Sequence, residues 1–305
     1  MKAKNGATRL GFGCTAIPGP LTRRDALTLL ETAYACGIRH FDTARMYSSG
    51  ESEGVLGELA RQCRQELTIV TKAGIAPASR FARGVNKFAA TFRLPRPATS
   101  VGRFEVAQVQ RSVETSLRKL RTDHVEALLL HEIRAHEVHD DLKRLLDGLR
   151  QDGKVGAYGI ATSIEESELI MDAHPELCDV VQVAARWLDR PRALPPTTRL
   201  VIHSVLGARL ASFLGRLQAE EHLARRLKED TGLTASDVGE IGRLMLQAAM
   251  LRNTDGITLF SSARVERIRR NADLLTAKLD TPAVMALEGA MRTPVAAHRD
   301  RESAP

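Results

Sequence analysis

Aromatic side chains are scarce in this sequence, with one Trp, three Tyr and eight Phe among 305 residues. So few rings leave little for stacking the bases of a single strand. Lys and Arg number 44 against 37 Asp and Glu, a net charge of +7, but the basic residues are spread over most of the amphipathic segments. A solvated basic surface is expected, not a nucleic-acid partner. Cys14, Cys36, Cys63 and Cys178 stand far apart with no CxxC pair, which predicts reduced thiols in a cytosol and no disulfide framework. No apolar run approaches the ~18 residues of a membrane span. Met1-Lys2-Ala3-Lys4-Asn5-Gly6 leads into no apolar leader stretch, so a soluble cytoplasmic protein without a membrane partner is expected. Nor does a Pro/Ser/Gly linker or low-complexity run divide the chain.

What is present is an alternation. Short apolar runs at Leu10–Cys14, Ile38–Ala44, Thr68–Lys72, Val125–Leu130, Gly156–Ala161, Val180–Ala184, Leu200–Ser204 and Ile257–Phe260 read as strands. Val125–Leu130 is continuously apolar, as a strand buried on both faces requires. Between the runs lie helical patterns. One starts at Thr22, with Asp25 three residues on as a variant capping box, an apolar face of Leu27, Leu30 and Ala33-Tyr34, and a stop at Gly37. Others carry Val55, Leu56 and Leu59; Val106, Val109, Val113, Leu117 and Leu120; and Leu142, Leu145, Leu146 and Leu149. About eight strands with interleaved helices match a (β/α)8 barrel. A doubly wound sheet predicts the same local alternation. Gly11-Phe12-Gly13-Cys14-Thr15-Ala16 fits a loose G-x-G-x-x-G/A pattern, but Pro18 and Pro20 follow where a dinucleotide-binding helix should start.

In a closed parallel barrel the strand C-termini converge on one rim, so distant residues become neighbours. Asp42, Lys72 and His131 sit at three such ends, and Tyr47 follows the first. A tyrosine, a lysine, a carboxylate and a histidine there make a proton-donating site. An ammonium about 4 Å from a phenol stabilises the phenolate by roughly 4 kcal/mol at an effective dielectric of 20. Lys72 is the candidate cation, and Asp42 would hold it charged. His131 could hydrogen-bond a substrate oxygen. Singly, each residue reads more simply as packing or a buried ion pair; the ordered quartet favours a site. A metal reading of His131, His136 and His139 is weak. His131 to His136 is one residue longer than HExxH, and five helical steps put two rings about 140° apart.

With Phe41-Asp42-Thr43-Ala44-Arg45-Met46-Tyr47, Gly50-Glu51-Ser52-Glu53, Thr71-Lys72-Ala73-Gly74, Leu130-His131, Gln182 and Leu259-Phe260-Ser261-Ser262 in this order, the sequence resembles the aldo-keto reductase superfamily. The resemblance runs from about residue 8 to 275 and favours the barrel: one (β/α)8 domain over residues 1–291, with residues 292–305 a disordered tail. It implies that Asp42, Tyr47, Lys72 and His131 are a catalytic tetrad. It also implies an NADP(H)-dependent oxidoreductase that reduces an aldehyde or ketone, or runs in reverse, on a small-molecule substrate. A monomer or small homo-oligomer is expected.

The resemblance places a nicotinamide dinucleotide, usually NADPH, across the rim. The cofactor-binding candidates are Thr162, Gln182, His203, Ser204, Leu206, Ser261, Ser262, Arg267, Arg270 and Asn271. A helix beginning near Ala263 would aim its N-terminus at a phosphate. Arg264, Arg267 and Arg270 recur along it, with guanidinium groups suited to the 2′-phosphate. Three departures stand out. Ala161-Thr162 replaces the family's usual Ser-Asn pair, His203 replaces its usual stacking ring, and Arg270 stands where an acidic residue is frequent. Because the first two alter the carboxamide and ring-stacking positions, while Arg270 favours a phosphate, a catalytically silent nucleotide-binding regulator is the alternative function. A barrel lyase or isomerase using Lys72 as a Schiff-base nucleophile is a third. The long connection from Ala73 to about Arg103, with Phe81, Phe88 and Phe92 among basic residues, is expected to form part of the substrate wall.

Overall fold

The computed structural model describes residues 9–15, 17–77, 104–185, 191 and 194–292. Most of the connection assigned to the substrate wall (78–103), Trp187 and the tail from 293 on lie outside the described residues.

Eight parallel strands close into a barrel in chain order. They are β1 (Leu10–Gly13), β2 (His40–Asp42), β3 (Thr68–Ala73), β4 (Val125–His131), β5 (Val155–Ala161), β6 (Val180–Ala184), β7 (Arg199–His203) and β8 (Ile257–Phe260). Closure is made by β1 on β8, with Gly11 opposite Leu259 and Phe12 opposite Phe260. The (β/α)8 expectation holds, and the doubly wound alternative, which has open edges, does not. The helices are α1 (Arg23–Ala35), α2 (Glu51–Cys63), α3 (Val106–Leu120), α4 (Asp140–Gln151), α5 (Ile164–Ala173), α6 (Ala208–Ala219), α7 (Glu221–Thr231), α8 (Val238–Arg252), α9 (Val265–Ala272) and α10 (Thr281–Arg292). Among the described residues, no helix is long and apolar enough to cross a membrane.

Alternation along each strand decides what fills the barrel. Val70, Ala127, Leu129, Ala157, Ala161, Val180, Val201, Ile257 and Leu259 form one buried cluster. Side chains two apart on a strand share a face, so the inward row continues from Val70 to Lys72, Leu129 to His131, Val180 to Gln182, Val201 to His203 and Leu259 to Ser261. On β2 the same row is His40 then Asp42. The interior is thus apolar below and polar at the C-terminal mouth. Leu129, 0% exposed, lies directly under His131, and Leu129→Ala would cost about 2–5 kcal/mol. Gly11 makes room for the lower imidazole: a Cβ there would stand 2.7 Å from His40 Cδ2. The outward face is packed as well, with the Phe12 ring edge-on to Phe260 at 5.5 Å between centroids.

Thr22 caps α1 as its sequence predicts. Its Oγ1 accepts from Asp25 N at 3.1 Å and donates to the Asp25 carboxylate at 2.7 Å. The buried face of α1 is Ala26, Leu29, Leu30 and Ala33, rotated from the expected one. Leu27 and Tyr34 are only half-buried, because the Tyr34 hydroxyl donates to Glu66 and Arg39 lies 4.2 Å over its ring. In α3 and α4 the expected stripes are buried at Val109, Val113, Leu117 and Leu120 and at Leu142, Leu146 and Leu149.

Two compact units make up the chain. The first holds residues up to 205 together with Ala249–Lys278, and carries all eight strands. The second holds Leu206–Ala248 and, of the described residues, 279–292. Within it Phe213, Leu217, Leu223, Leu227 and Leu287 are buried. Arg216 grips Glu220 through two nitrogens at 2.8 and 3.2 Å and donates to Met291 O at 3.1 Å.

Candidate active site

The polar mouth is organised around one buried ion pair. Lys72 Nζ donates to Asp42 Oδ1 at 2.5 Å and to Thr43 O at 2.9 Å; both charged side chains are nearly inaccessible. Gln182 Nε2, arriving from β6, donates to the other carboxylate oxygen of Asp42 at 2.9 Å. Lys72 Nζ also lies 4.9 Å from the Tyr47 ring centroid, and the Tyr47 and His131 rings meet edge to face at 5.9 Å. The four residues expected to act together are therefore gathered at the ends of β2, β3 and β4.

Burial by itself pushes the Lys72 ammonium towards the neutral amine, but Asp42 and then Tyr47 outweigh it, and its pKa is raised. The cation persists at neutral pH. His131 moves the other way: burial first, then the charge of Lys72, lowers its pKa from 6.5 to about 4. A neutral imidazole keeps one N–H to donate and one bare nitrogen.

Tyr47 owes its place to a chain reversal. It opens a short 3-10 turn, Tyr47–Gly50, in which Ser48, Ser49 and Gly50 all have left-handed φ of 47°, 59° and 87°. Two serines in that region are uncommon, and such strain gathers at sites the surroundings hold firmly. The hold comes from the start of α2. Ser52 Oγ donates to Cys14 O at 3.0 Å, leaving it to accept from Thr43 Oγ1 at 2.9 Å. Glu53, fully buried, takes Arg45 Nη1 at 2.9 Å on one oxygen and Thr71 Oγ1 at 2.8 Å on the other. The Gly50-Glu51-Ser52-Glu53 stretch thus ties the ends of β1, β2 and β3 together. The sequence pattern assigns Glu53 no role; a charged residue in the first turn of a helix otherwise lined by Val55, Leu56 and Leu59 is the available signal.

The cofactor candidates are more scattered. Thr162 is buried just past β5, and Gln182 is committed to Asp42 through its nitrogen. His203 ends β7 with Nδ1 2.8 Å from Ser204 Oγ, and Ser204 is left-handed at φ 57°. Burial first, with the Lys72 charge adding to it, lowers the His203 pKa. Ser261 Oγ donates to Gly13 O at 2.6 Å. Ser262 Oγ accepts from Arg264 N at 3.1 Å, so the helix near Ala263 begins instead at Val265, with Arg264 as its cap residue. Arg264, Arg267 and Arg270 are exposed and Asn271 is buried. Leu206 falls in the second unit. A cavity of about 350 Å³ opens between the start of α1 and Ala263–Glu266, lined by Leu21, Asp25, Thr28 and Arg264 among others.

The other loop histidines have local work. His139 caps α4, its Nδ1 accepting from Leu142 N at 3.2 Å and its Nε2 3.3 Å from Phe104 O. His136 sits in the short turn Ala135–Glu137.

Residues 9–196 match the model of the aldo/keto reductase family. The chain is 31% identical over 150 residues to an aldo-keto reductase of Alternaria alternata, covering 47% of this chain and 41% of that protein. It is 27% identical over 258 residues to a D-threo-aldose 1-dehydrogenase of a Pseudomonas species, covering 81% and 77%. Several of the curated relatives are matched over only about half their length. Among solved structures, the holo form of an aldo-keto reductase from Bacillus halodurans superposes with a TM-score of 0.69 at 18% identity, over 97% of this chain and 98% of that one.

Proposed function

The chain belongs to the aldo/keto reductase family, and on that premise we propose that it is an NADP(H)-dependent oxidoreductase interconverting a small aldehyde or ketone with the alcohol. The observation that carries this is the buried Lys72 cation, held at 2.5 Å by Asp42 and 4.9 Å from the Tyr47 ring. Residues suited to a nicotinamide nucleotide are at hand: exposed guanidinium groups of Arg264, Arg267 and Arg270 for phosphate, and the Thr162 hydroxyl for the carboxamide. When bound, such a nucleotide supplies the hydride.

In the reducing direction Tyr47 Oη would give its proton to the substrate oxygen as negative charge builds there. Lys72 stabilises the phenolate left behind, and Asp42 keeps Lys72 protonated. Neutral His131 donates its N–H to the same oxygen, aligning the carbonyl. Solvent then returns a proton to Tyr47. The reverse sequence oxidises an alcohol, and the aldose dehydrogenase among the relatives supports testing sugars in that direction.

The raised Lys72 pKa argues against a Schiff-base lysine, which needs a free amine. The silent nucleotide-binding alternative draws on Ala161-Thr162 and His203 at the altered positions. Titration with NADPH and NADH, followed by nicotinamide fluorescence, and then a single-turnover hydride assay test both readings. Tyr47→Phe is expected to lower kcat by about 10²–10⁴ with nucleotide affinity unchanged. Tight nucleotide binding without hydride transfer to any carbonyl would favour the silent reading, and no binding would remove both.

A further inference from the structure

Gln182 makes a bond that nothing local in the sequence requires. It is 2% exposed, and its Nε2 donates to Asp42 Oδ2 at 2.9 Å across 140 residues of chain. Strands β6 and β2 are not neighbours in the barrel, so the bond crosses the interior. A carboxylate offers no proton, so the amide nitrogen is the atom that must face it. Lys72 takes Oδ1 and Gln182 takes Oδ2, and the carboxylate is pinned at both oxygens.

We propose that Gln182 is a positioning residue for the proton donor, acting through Asp42 on Lys72. The inference rests on Tyr47 being that donor. Without the amide, Asp42 Oδ2 would be buried with one partner fewer. A carboxylate so placed is more costly to keep charged, and the pair drifts towards a proton-shared form with less positive charge on Lys72. The cation that stabilises the phenolate is then weakened.

The chain has three tyrosines, Tyr34, Tyr47 and Tyr158, so a ring-13C tyrosine label gives a readable spectrum, assigned with Tyr47→Phe. In the ligand-free full chain, the Tyr47 titration is expected to move to higher pH by about one unit in Gln182→Leu. Tyr34 and Tyr158 should stay in place. If Gln182→Leu does not fold, Gln182→Met, which is close to glutamine in size and likewise has no donor, carries the test. An unmoved Tyr47 curve, whatever happens to nucleotide affinity, overturns the proposal and leaves Gln182 as a cofactor contact alone. Because no nucleotide or carbonyl is present, failure of the reductase reading registers separately, as absent hydride transfer in the wild-type protein.

Discussion

Around β2, β3 and β6 the polar side chains of the barrel mouth are buried and bonded to one another: Asp42 to Lys72 and Gln182, and Glu53 to Arg45 and Thr71. Around β8 and α9 the charges stand in solvent, and the serine hydroxyls engage nearby backbone. Groups that must stabilise a developing charge work best when already oriented and dry. Groups that attract a highly charged ligand from solution need reach and exposure instead. One barrel mouth holds both arrangements, and they should respond differently to mutation, pH and salt.

The largest effect is expected from breaking the buried side. Lys72→Met leaves Asp42 charged and unpaired in the interior, at a cost of about 3–5 kcal/mol, and should lower carbonyl turnover at least a hundredfold, ~10². Denaturant titration and kcat check the two parts; a variant as stable as the wild type would mean that this network does not hold the mouth together.

Acid tests the same side more gently. Burial is the main cause holding His40 and His131 near pKa 4, against 6.5 for a free imidazole. Between these values the unfolded chain binds more protons, so this stability is full above about pH 6.5 and lost as pH falls towards 4. The His40 Nε2 has no hydrogen-bond partner among the described residues, which makes that ring the cleaner probe. His40→Leu should reduce the stability lost between pH 6.5 and 5 by about 2 kcal/mol, and an unchanged pH slope would assign the loss elsewhere.

The exposed side should answer to salt. Arg267→Ala is expected to weaken NADPH binding about tenfold at low ionic strength, less at ~0.5 M salt, and to leave NADH almost unaffected. Equal weakening of both nucleotides would remove the 2′-phosphate from its role. Far from either side, Thr22→Ala should cost about 1 kcal/mol through the lost α1 cap and leave turnover as it was.

Much of the buried side could be read from local pattern. Val70 and Lys72, or Leu129 and His131, alternate so regularly that the polar residue at the strand end had to join the inward row of a closed barrel. The partners of those residues could not be read. Nothing near Gln182 names Asp42, and nothing near Glu53 names Thr71, because these bonds join strands and helices separated widely in the chain. The α1 face held at Leu30 and Ala33 but not at Leu27 and Tyr34, for a related reason. Leu27 and Tyr34 have the right spacing, but Glu66 and Arg39 hold the Tyr34 ring near the surface, and Ala26 and Leu29 take the buried face.

By itself the sequence determined the eight strands, the helices α1 to α4 among them, the cap at Thr22 and which residues stand at the strand ends, since each depends on neighbours within a few positions. Tertiary structure decided that both oxygens of Asp42 are held, one by Lys72 and one by Gln182, and that Glu53 is buried against Arg45 and Thr71. Those outcomes depend on closing the sheet, which brings strand ends from distant parts of the chain within hydrogen-bonding distance.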